Sequence, residues 1–118
     1  RDLRMSRGLG DVYKRQAYTT VNASDELTAF VDAYTKEYGE APNMFSALTY
    51  DATNLGLQAL EKAGKTGADL QKAIADTKFD GLTGSFTFDK THSPKKSVLV
   101  VNLVDGVQTE AVSVDPNK

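Results

Sequence analysis

The spacing of hydrophobic residues changes once along this 118-residue chain, and that change constrains the fold more than any other feature. Between residues 45 and 63, apolar side chains recur at the three- and four-residue spacing of one buried helix face, and Gly64 is placed to end that helix. From Leu82 onward the spacing becomes two, which suits a strand. The pattern therefore predicts an α/β protein. The predicted buried face of the helix consists of Phe45, Leu48, Ala52, Leu55, Ala59, Leu60 and Ala63.

Two more helices and a hairpin are indicated by their end signals. Ser24 can cap one helix, and Pro42 prevents that helix from running into the next one. Thr66 and Asp69 form a capping-box pattern at the start of a short helix. Residues 105–106, Asp-Gly, join two β-rich runs and indicate a hairpin. The predicted helices cover about residues 24–38, 44–63 and 67–77, and the predicted strands cover about residues 82–88, 97–104 and 107–114.

The order of these elements, together with the sequence motifs in them, resembles that of a known protein family. SALTYDATNLGLQALEKAG, followed by a short helix and FDGLTGSFTFD, resembles the C-terminal region of periplasmic substrate-binding proteins of the branched-chain amino acid ABC transporter type. These are leucine-binding-like, type I periplasmic binding proteins. The resemblance implies a fragment: the C-terminal part of one lobe, with helices packed on a sheet, followed by a closing β-hairpin at the hinge.

The first sixteen residues are expected to have another origin. RDLRMSRGLGDVYKRQ resembles the translation of a sequencing adapter joined to a gene fragment, and all four arginines of the chain lie in it. From charge alone, the alternative is a basic N-terminal arm that binds nucleic acid. We expect residues 1–16 to be non-native and residues 17–118 to be the C-terminal portion of a substrate-binding protein.

Charge and composition argue against two classes of partner. Residues 1–16 hold five of the 14 basic and two of the 16 acidic residues, so residues 17–118 form an acidic chain. Its only adjacent basic pair is Lys95 and Lys96, whereas a nucleic-acid-binding surface needs clustered cations. The longest apolar run is far shorter than the roughly 20 residues that span a bilayer. We expect no nucleic-acid partner and no membrane-spanning segment.

No constellation of catalytic or metal-ligating residues is visible. His92, the single histidine, lies in a polar turn without a second ligand at metal spacing, and cysteine is absent. Asp51 has no identifiable partner for general acid or base catalysis, so a hydrogen-bonding role is favoured. Asp76, Asp80 and Asp89 lack the ligand alternation of a calcium loop, which favours cap and turn roles. We expect no enzymatic activity, no metal and no cofactor.

The resemblance also implies ligand-binding residues. Phe45 corresponds to the aromatic position that packs against the ligand's aliphatic side chain in the transporters that the chain resembles. Phe45 equally fits the buried face of the helix, so both roles stay open. Ser46 and Tyr50 are further candidates because they lie near the same end of this helix. The groups that hold the ligand's amino and carboxylate ends are expected upstream of this chain.

The resemblance implies the solute-binding component of an ABC importer. Such a protein binds branched-chain or other amino acids between two lobes and delivers them to a membrane permease. The implied location is periplasmic, or extracellular and lipid-anchored in a Gram-positive source, with the signal sequence absent from this chain. The alternative is a ligand-sensing receptor domain of the same fold in a signalling protein, which a transmembrane segment and an output domain in the full gene would identify.

Overall fold

One strand, three helices and then five strands follow one another along the described part of the chain. The computed structural model describes the backbone of residues 12–115 and the side chains of residues 15–115. Its mixture of helices and strands confirms the α/β class. The elements are β1 (Val12–Gln16), α1 (Asp25–Tyr38), α2 (Met44–Ala63), α3 (Ala68–Ala75), β2 (Phe79–Gly81), β3 (Gly84–Phe88), β4 (Pro94–Lys96), β5 (Val98–Val104) and β6 (Val107–Val114).

The described strands form two antiparallel sheets of three strands each. In the first sheet β5 lies between β1 and β6, and in the second β3 lies between β2 and β4. The turn between β5 and β6 places Asp105 at a φ of 50° and Gly106 at a φ of 79°. Two consecutive positive φ angles are what a two-residue type I′ turn requires, so the expected C-terminal hairpin is present.

Hydrogen-bonded caps set the ends of α1 and α2. Oγ of Ser24 accepts a hydrogen bond from the Leu27 N–H at 3.2 Å, and Oδ1 of Asn43 accepts one from the Ser46 N–H at 3.0 Å. Gly64 has a φ of 69° and ends α2 in the left-handed conformation. Both helices therefore begin where a short polar side chain satisfies a free backbone donor.

The cap predicted for α3 is wrong. Gly67, with a φ of 84°, occupies the N-cap position, and no side chain bonds to the first turn. Asp69 instead forms an exposed ion pair with Lys65, at 2.6 Å between Nζ and Oδ2. A left-handed residue at position 67 moves the start of the helix past Thr66, so that Thr66 lies one residue too early to cap it.

The strand predicted over residues 82–88 is wrong in its first two residues. Leu82 and Thr83 form the turn between β2 and β3, and Phe79 on β2 pairs with Phe86 on β3. The two rings lie 5.4 Å apart, and Phe79 is 2% exposed. β2 and β4 each have three residues, which is too few for alternation to reveal a strand.

The buried face of α2 agrees with the prediction at Leu55 and Ala59 and differs from it elsewhere. Phe45 is 70% exposed and Leu60 is 39% exposed, although both belong to the apolar spacing. The face that packs inward repeats every four residues and contains a carboxylate, so the apolar pattern alone could not identify the whole of it. Its residues are Ala47, Asp51, Leu55 and Ala59.

The Asp51 carboxylate joins α2 to the turn between β2 and β3. Asp51 is 3% exposed, and its Oδ1 accepts a hydrogen bond from the Leu82 N–H at 2.8 Å. Its Oδ2 accepts hydrogen bonds from the N–H and the hydroxyl of Thr83, at 2.8 Å and 2.6 Å. A buried carboxylate with three donors is satisfied, and a hydrogen-bonding role is therefore the role that the structure shows for Asp51.

β1 lies within the segment that the sequence predicts to be non-native. It pairs antiparallel with β5, from Val12 opposite Leu103 to Gln16 opposite Leu99. Residues 1–11 lie outside the described residues. The non-native origin of residues 1–16 stays a prediction, and the pairing shows that this edge of β5 accepts a strand.

We expect Gly81→Ala to destabilise the protein by about 1–3 kcal/mol, the range for overpacking a close-packed site. A Cβ at position 81 would lie 2.4 Å from the Phe79 ring and 2.6 Å from Cγ of Asp51. Gly56→Ala on α2 is the matched control, because its Cβ meets nothing within 4 Å and alanine favours a helix by roughly 0.5–1 kcal/mol. Urea unfolding measures both variants. Equal stability of the two variants would contradict the close approach at Gly81.

Candidate functional site

A groove lined by aromatic rings lies between α1 and the first turns of α2. Its volume is about 680 Å³, and apolar atoms form most of its surface. Phe30 lies 4.8 Å from the Tyr50 ring and 5.9 Å from the Tyr34 ring, and Tyr34 lies 4.6 Å from Tyr38. We call this surface the aromatic groove. Its rings are Phe30, Tyr34, Tyr38, Phe45 and Tyr50.

Helical spacing builds the α1 wall of this groove. Phe30, Tyr34 and Tyr38 recur every four residues and therefore lie along one side of α1. Tilted rings at these separations attract one another beyond their burial, which holds the wall in place before any ligand arrives. The aromatic groove is thus a preformed, mainly apolar surface whose lining includes tyrosine and serine residues.

All three site residues predicted from the sequence line the aromatic groove. Phe45 exposes 70% of its surface, so its predicted place on the buried face of α2 is wrong. Oγ of Ser46 lies 3.2 Å from Oδ1 of Asn43 and 3.4 Å from the Tyr34 hydroxyl. Tyr50 is 47% exposed. The structure brings these residues together, and their contact with a ligand stays a prediction.

A second concavity of about 690 Å³ shares Phe45 and Asn43 with the aromatic groove. We call it the polar hollow after the hydrogen-bonded side chains in its wall, although apolar atoms form most of its surface. It is formed by the segment before α1, the loop before α2 and the start of β6. Its lining residues are Arg15, Gln16, Tyr18, Thr19, Thr20, Val21, Ala41, Pro42, Asn43, Met44, Phe45, Val107 and Gln108.

Hydrogen bonds organise the wall of the polar hollow. Thr19 is 5% exposed and donates its hydroxyl proton to Oε1 of Gln108 at 2.6 Å, while Nε2 of Gln16 donates to the same oxygen at 3.1 Å. Oγ1 of Thr19 also accepts a hydrogen bond from the Val21 N–H at 3.1 Å. Burial raises the pKa of Tyr18 in this wall. The sequence did not indicate this network, because Thr19 and Gln108 lie 89 residues apart without a local motif.

Asp51 lies outside both concavities and has a cation nearby. Nζ of Lys96 contacts Oγ1 of Thr83 and lies 5.2 Å from the centre of the Phe86 ring. Burial lowers the pKa of Lys96, and attraction to Asp51 opposes that effect in part. The cation and the carboxylate thus support the turn between β2 and β3.

Within residues 12–115, no group of three or more acidic or histidine side chains is placed to hold a metal ion. Asp89 forms a turn instead, because its Oδ1 accepts hydrogen bonds from Thr91 and Ser93 at 2.7–3.0 Å. Over the same described range, none of the helices has the length and hydrophobicity needed to cross a bilayer.

Comparison with known proteins identifies the fold. The family model described as periplasmic binding protein matches residues 5–108. LivJ from Streptococcus pneumoniae, a branched-chain amino acid transporter substrate-binding protein solved with isoleucine, is 34% identical, with a TM-score of 0.75. The match covers 88% of this chain and 30% of LivJ. No curated protein matches at a significant level.

Two further solved structures show the same similarity. The leucine-binding protein LivK from Thermotoga maritima is 27% identical with a TM-score of 0.75, over 94% of this chain and 33% of LivK. A putative branched-chain amino acid ABC transporter protein from Rhodospirillum rubrum is 33% identical with a TM-score of 0.70, over 82% and 29% of the two chains. The chain thus spans about a third of the length of these relatives, which are transport proteins and not enzymes. The fold expected from the sequence, the C-terminal part of a type I periplasmic-binding-protein lobe, is confirmed.

Replacing Phe45 by alanine is expected to change the free energy of unfolding by less than about 0.5 kcal/mol, the usual range for an exposed side chain. Phe79→Ala is the matched comparison: it removes a ring that is 2% exposed and should cost about 3–5 kcal/mol. Urea unfolding monitored by circular dichroism measures both. A large loss of stability in Phe45→Ala would show that its ring supports the core.

The lowered pKa of Lys96 predicts a pH effect on stability. Between that pKa and the ordinary value of 10.5, the unfolded chain binds more protons than the folded chain, so the contribution of Lys96 to stability rises with pH. Lys96→Met removes this contribution. We expect the difference in urea midpoint between the natural chain and the variant to shift in favour of the natural chain as the pH rises toward 10.5. A constant difference would contradict the burial of the ammonium group.

Proposed function

The chain belongs to the periplasmic binding protein family, and we propose on that premise that the intact protein is the solute-binding component of an ABC importer. It binds a branched-chain or other amino acid between two lobes and delivers it to a membrane permease. The observation that carries the proposal is the exposed ring of Phe45 on a preformed aromatic groove. The similarity to LivJ, which was solved with isoleucine, supports the ligand class.

The groove has the chemistry that an aliphatic side chain requires. Burying apolar surface contributes about 25 cal/mol per Å², and a flat ring offers such surface without losing hydrogen bonds. Phe45 is 70% exposed in the structure, so most of its surface is free for a ligand to cover. The hydroxyls of Ser46 and Tyr50 lie on the same groove and would accompany the polar end of the ligand.

Lobe closure is the expected mechanism of binding. A ligand that contacts both lobes only in the closed form shifts the equilibrium toward that form. This chain contributes one wall of the cleft through α1 and α2, and its C-terminal hairpin belongs to the hinge, where small backbone rotations permit closure. The proposal requires no covalent chemistry. It places the intact protein in the periplasm, or outside the cell on a lipid anchor.

A thermal-shift screen of the intact protein, obtained by extending the reading frame upstream, tests the proposal. The compounds are leucine, isoleucine, valine, other amino acids, amides and aromatic acids. A ligand present at one hundred times its dissociation constant adds about 2.7 kcal/mol of stability, so the melting temperature should rise measurably. Phe45→Ala should weaken the shift that branched-chain amino acids produce.

Leu57→Ala is the matched control for this variant. Leu57 lies on the same helix and is 59% exposed, but it lines neither the aromatic groove nor the polar hollow. Its replacement should leave the ligand-induced shift unchanged. A stable intact protein whose melting temperature does not change with any amino acid would refute the amino-acid proposal. If Phe45→Ala and Leu57→Ala reduce the ligand-induced shift equally, Phe45 is not a ligand-binding residue.

A further inference from the structure

The amide group of Gln108 is held in one orientation at the edge of the proposed site. Its Oε1 accepts a hydrogen bond from the hydroxyl of Thr19 at 2.6 Å. Nε2 of Gln16 donates to the same oxygen at 3.1 Å, but Gln16 lies in the segment expected to be non-native, so for the intact protein we use the Thr19 bond alone. Thr19 is 95% buried and is itself held by the Val21 N–H. Because the Thr19 bond ends on the oxygen, the nitrogen of the Gln108 amide faces away from Thr19 in the structure.

An irregularity in the sheet places Gln108 in this position. The β5–β6 pairing shifts register between Asn102 and Leu103: Asn102 pairs with Glu110, but Leu103 pairs with Gln108. Thr109 is therefore the extra residue of a β-bulge. In a regular ladder Leu103 would pair with Thr109, and Gln108 would project from the opposite face. Bulges commonly redirect a side chain beside a functional site.

The amide nitrogen of Gln108 has two N–H donors that no described residue accepts. Gln108 is half-buried, and it lines the polar hollow together with Phe45. A partly shielded donor with a fixed orientation is prepared for an acceptor that the chain itself does not supply. In the proposed function, Phe45 contacts the apolar part of the ligand, and Phe45 lines the same hollow as Gln108.

We infer that Nε2 of Gln108 donates a hydrogen bond to an oxygen of the bound ligand, and that Gln108 is a specificity-determining residue of the cleft. The acceptor is a carboxyl or amide oxygen, since these are the strong acceptors of small metabolites. Thr19 acts as a positioning residue, because it holds the amide and lies behind it. The inference rests on the proposed function, as it takes the Phe45 cleft to be the binding site.

Leucine and asparagine form a matched pair of probes. Their side chains are nearly equal in shape, but only asparagine carries an acceptor oxygen there, whereas both carry the main-chain carboxylate. Calorimetry on the intact protein compares the natural sequence with Gln108→Leu. Loss of one hydrogen bond should raise the dissociation constant about three- to tenfold, and more for a carboxylate acceptor. If Gln108→Leu weakens the binding of asparagine alone, the acceptor is an oxygen of the ligand side chain. If it weakens the binding of both leucine and asparagine, the acceptor is the carboxylate.

Two further variants separate this effect from a change in folding. Gln108→Glu keeps the shape and the oxygen that faces Thr19 but replaces the donor by an acceptor, so it should weaken binding at least as much as Gln108→Leu. Glu110→Gln lies two residues along β6, outside the polar hollow, and should leave both affinities unchanged. Melting curves without ligand verify that each variant is folded.

The outcomes distinguish the inference from the proposed function. If leucine binds in a Phe45-dependent manner and both Gln108 variants bind both amino acids as the natural protein does, the inference is overturned while the proposed function stands. If the folded intact protein binds no amino acid, the proposed function fails and this inference fails with it. Weaker binding in both Gln108 variants but not in Glu110→Gln supports the inference.

Discussion

The three hydrogen bonds to the Asp51 carboxylate determine how α2 lies in the fold. They hold one side of the helix against the turn at Leu82 and Thr83, where Gly81 leaves no space for a side chain. Phe45 precedes Asp51 by six residues, which places it about 120° away around a helix of 3.6 residues per turn. An inward Asp51 therefore directs Phe45 outward, and the exposed ring follows from the buried carboxylate.

The same constraint explains the architecture of the candidate site. α2 is the common element: its middle is fixed to the second sheet, and its first turn presents Phe45 between two concavities. One concavity is apolar and is built from the aromatic rings of α1. The other is closed by the start of β6 and has hydrogen-bonded polar side chains in part of its wall.

Local signals predicted the parts of this structure that depend on neighbouring residues. The Ser24 cap, the Gly64 end of α2 and the Asp-Gly hairpin turn are determined within a few residues, and the site residues followed from the family resemblance. The apolar spacing predicted Leu55 and Ala59 on the buried face of α2 but could not predict Asp51, because Asp51 is charged and its donors lie more than 30 residues away. The Thr19–Gln108 pair depends on tertiary contact in the same way. Hydrogen bonds between distant residues do not produce a periodic pattern in the sequence, so the spacing of residues does not predict them.

The chain spans about a third of the length of the relatives it matches, so its groove is one wall of a larger cleft in the proposed function. The crystal structure of the intact protein with the amino acid that binds to it is the most direct measurement of this claim. We expect the ring of Phe45 to lie within about 4 Å of the ligand's apolar atoms, which is contact distance. A ligand bound elsewhere, with the Phe45 ring still facing solvent in the closed protein, would contradict it.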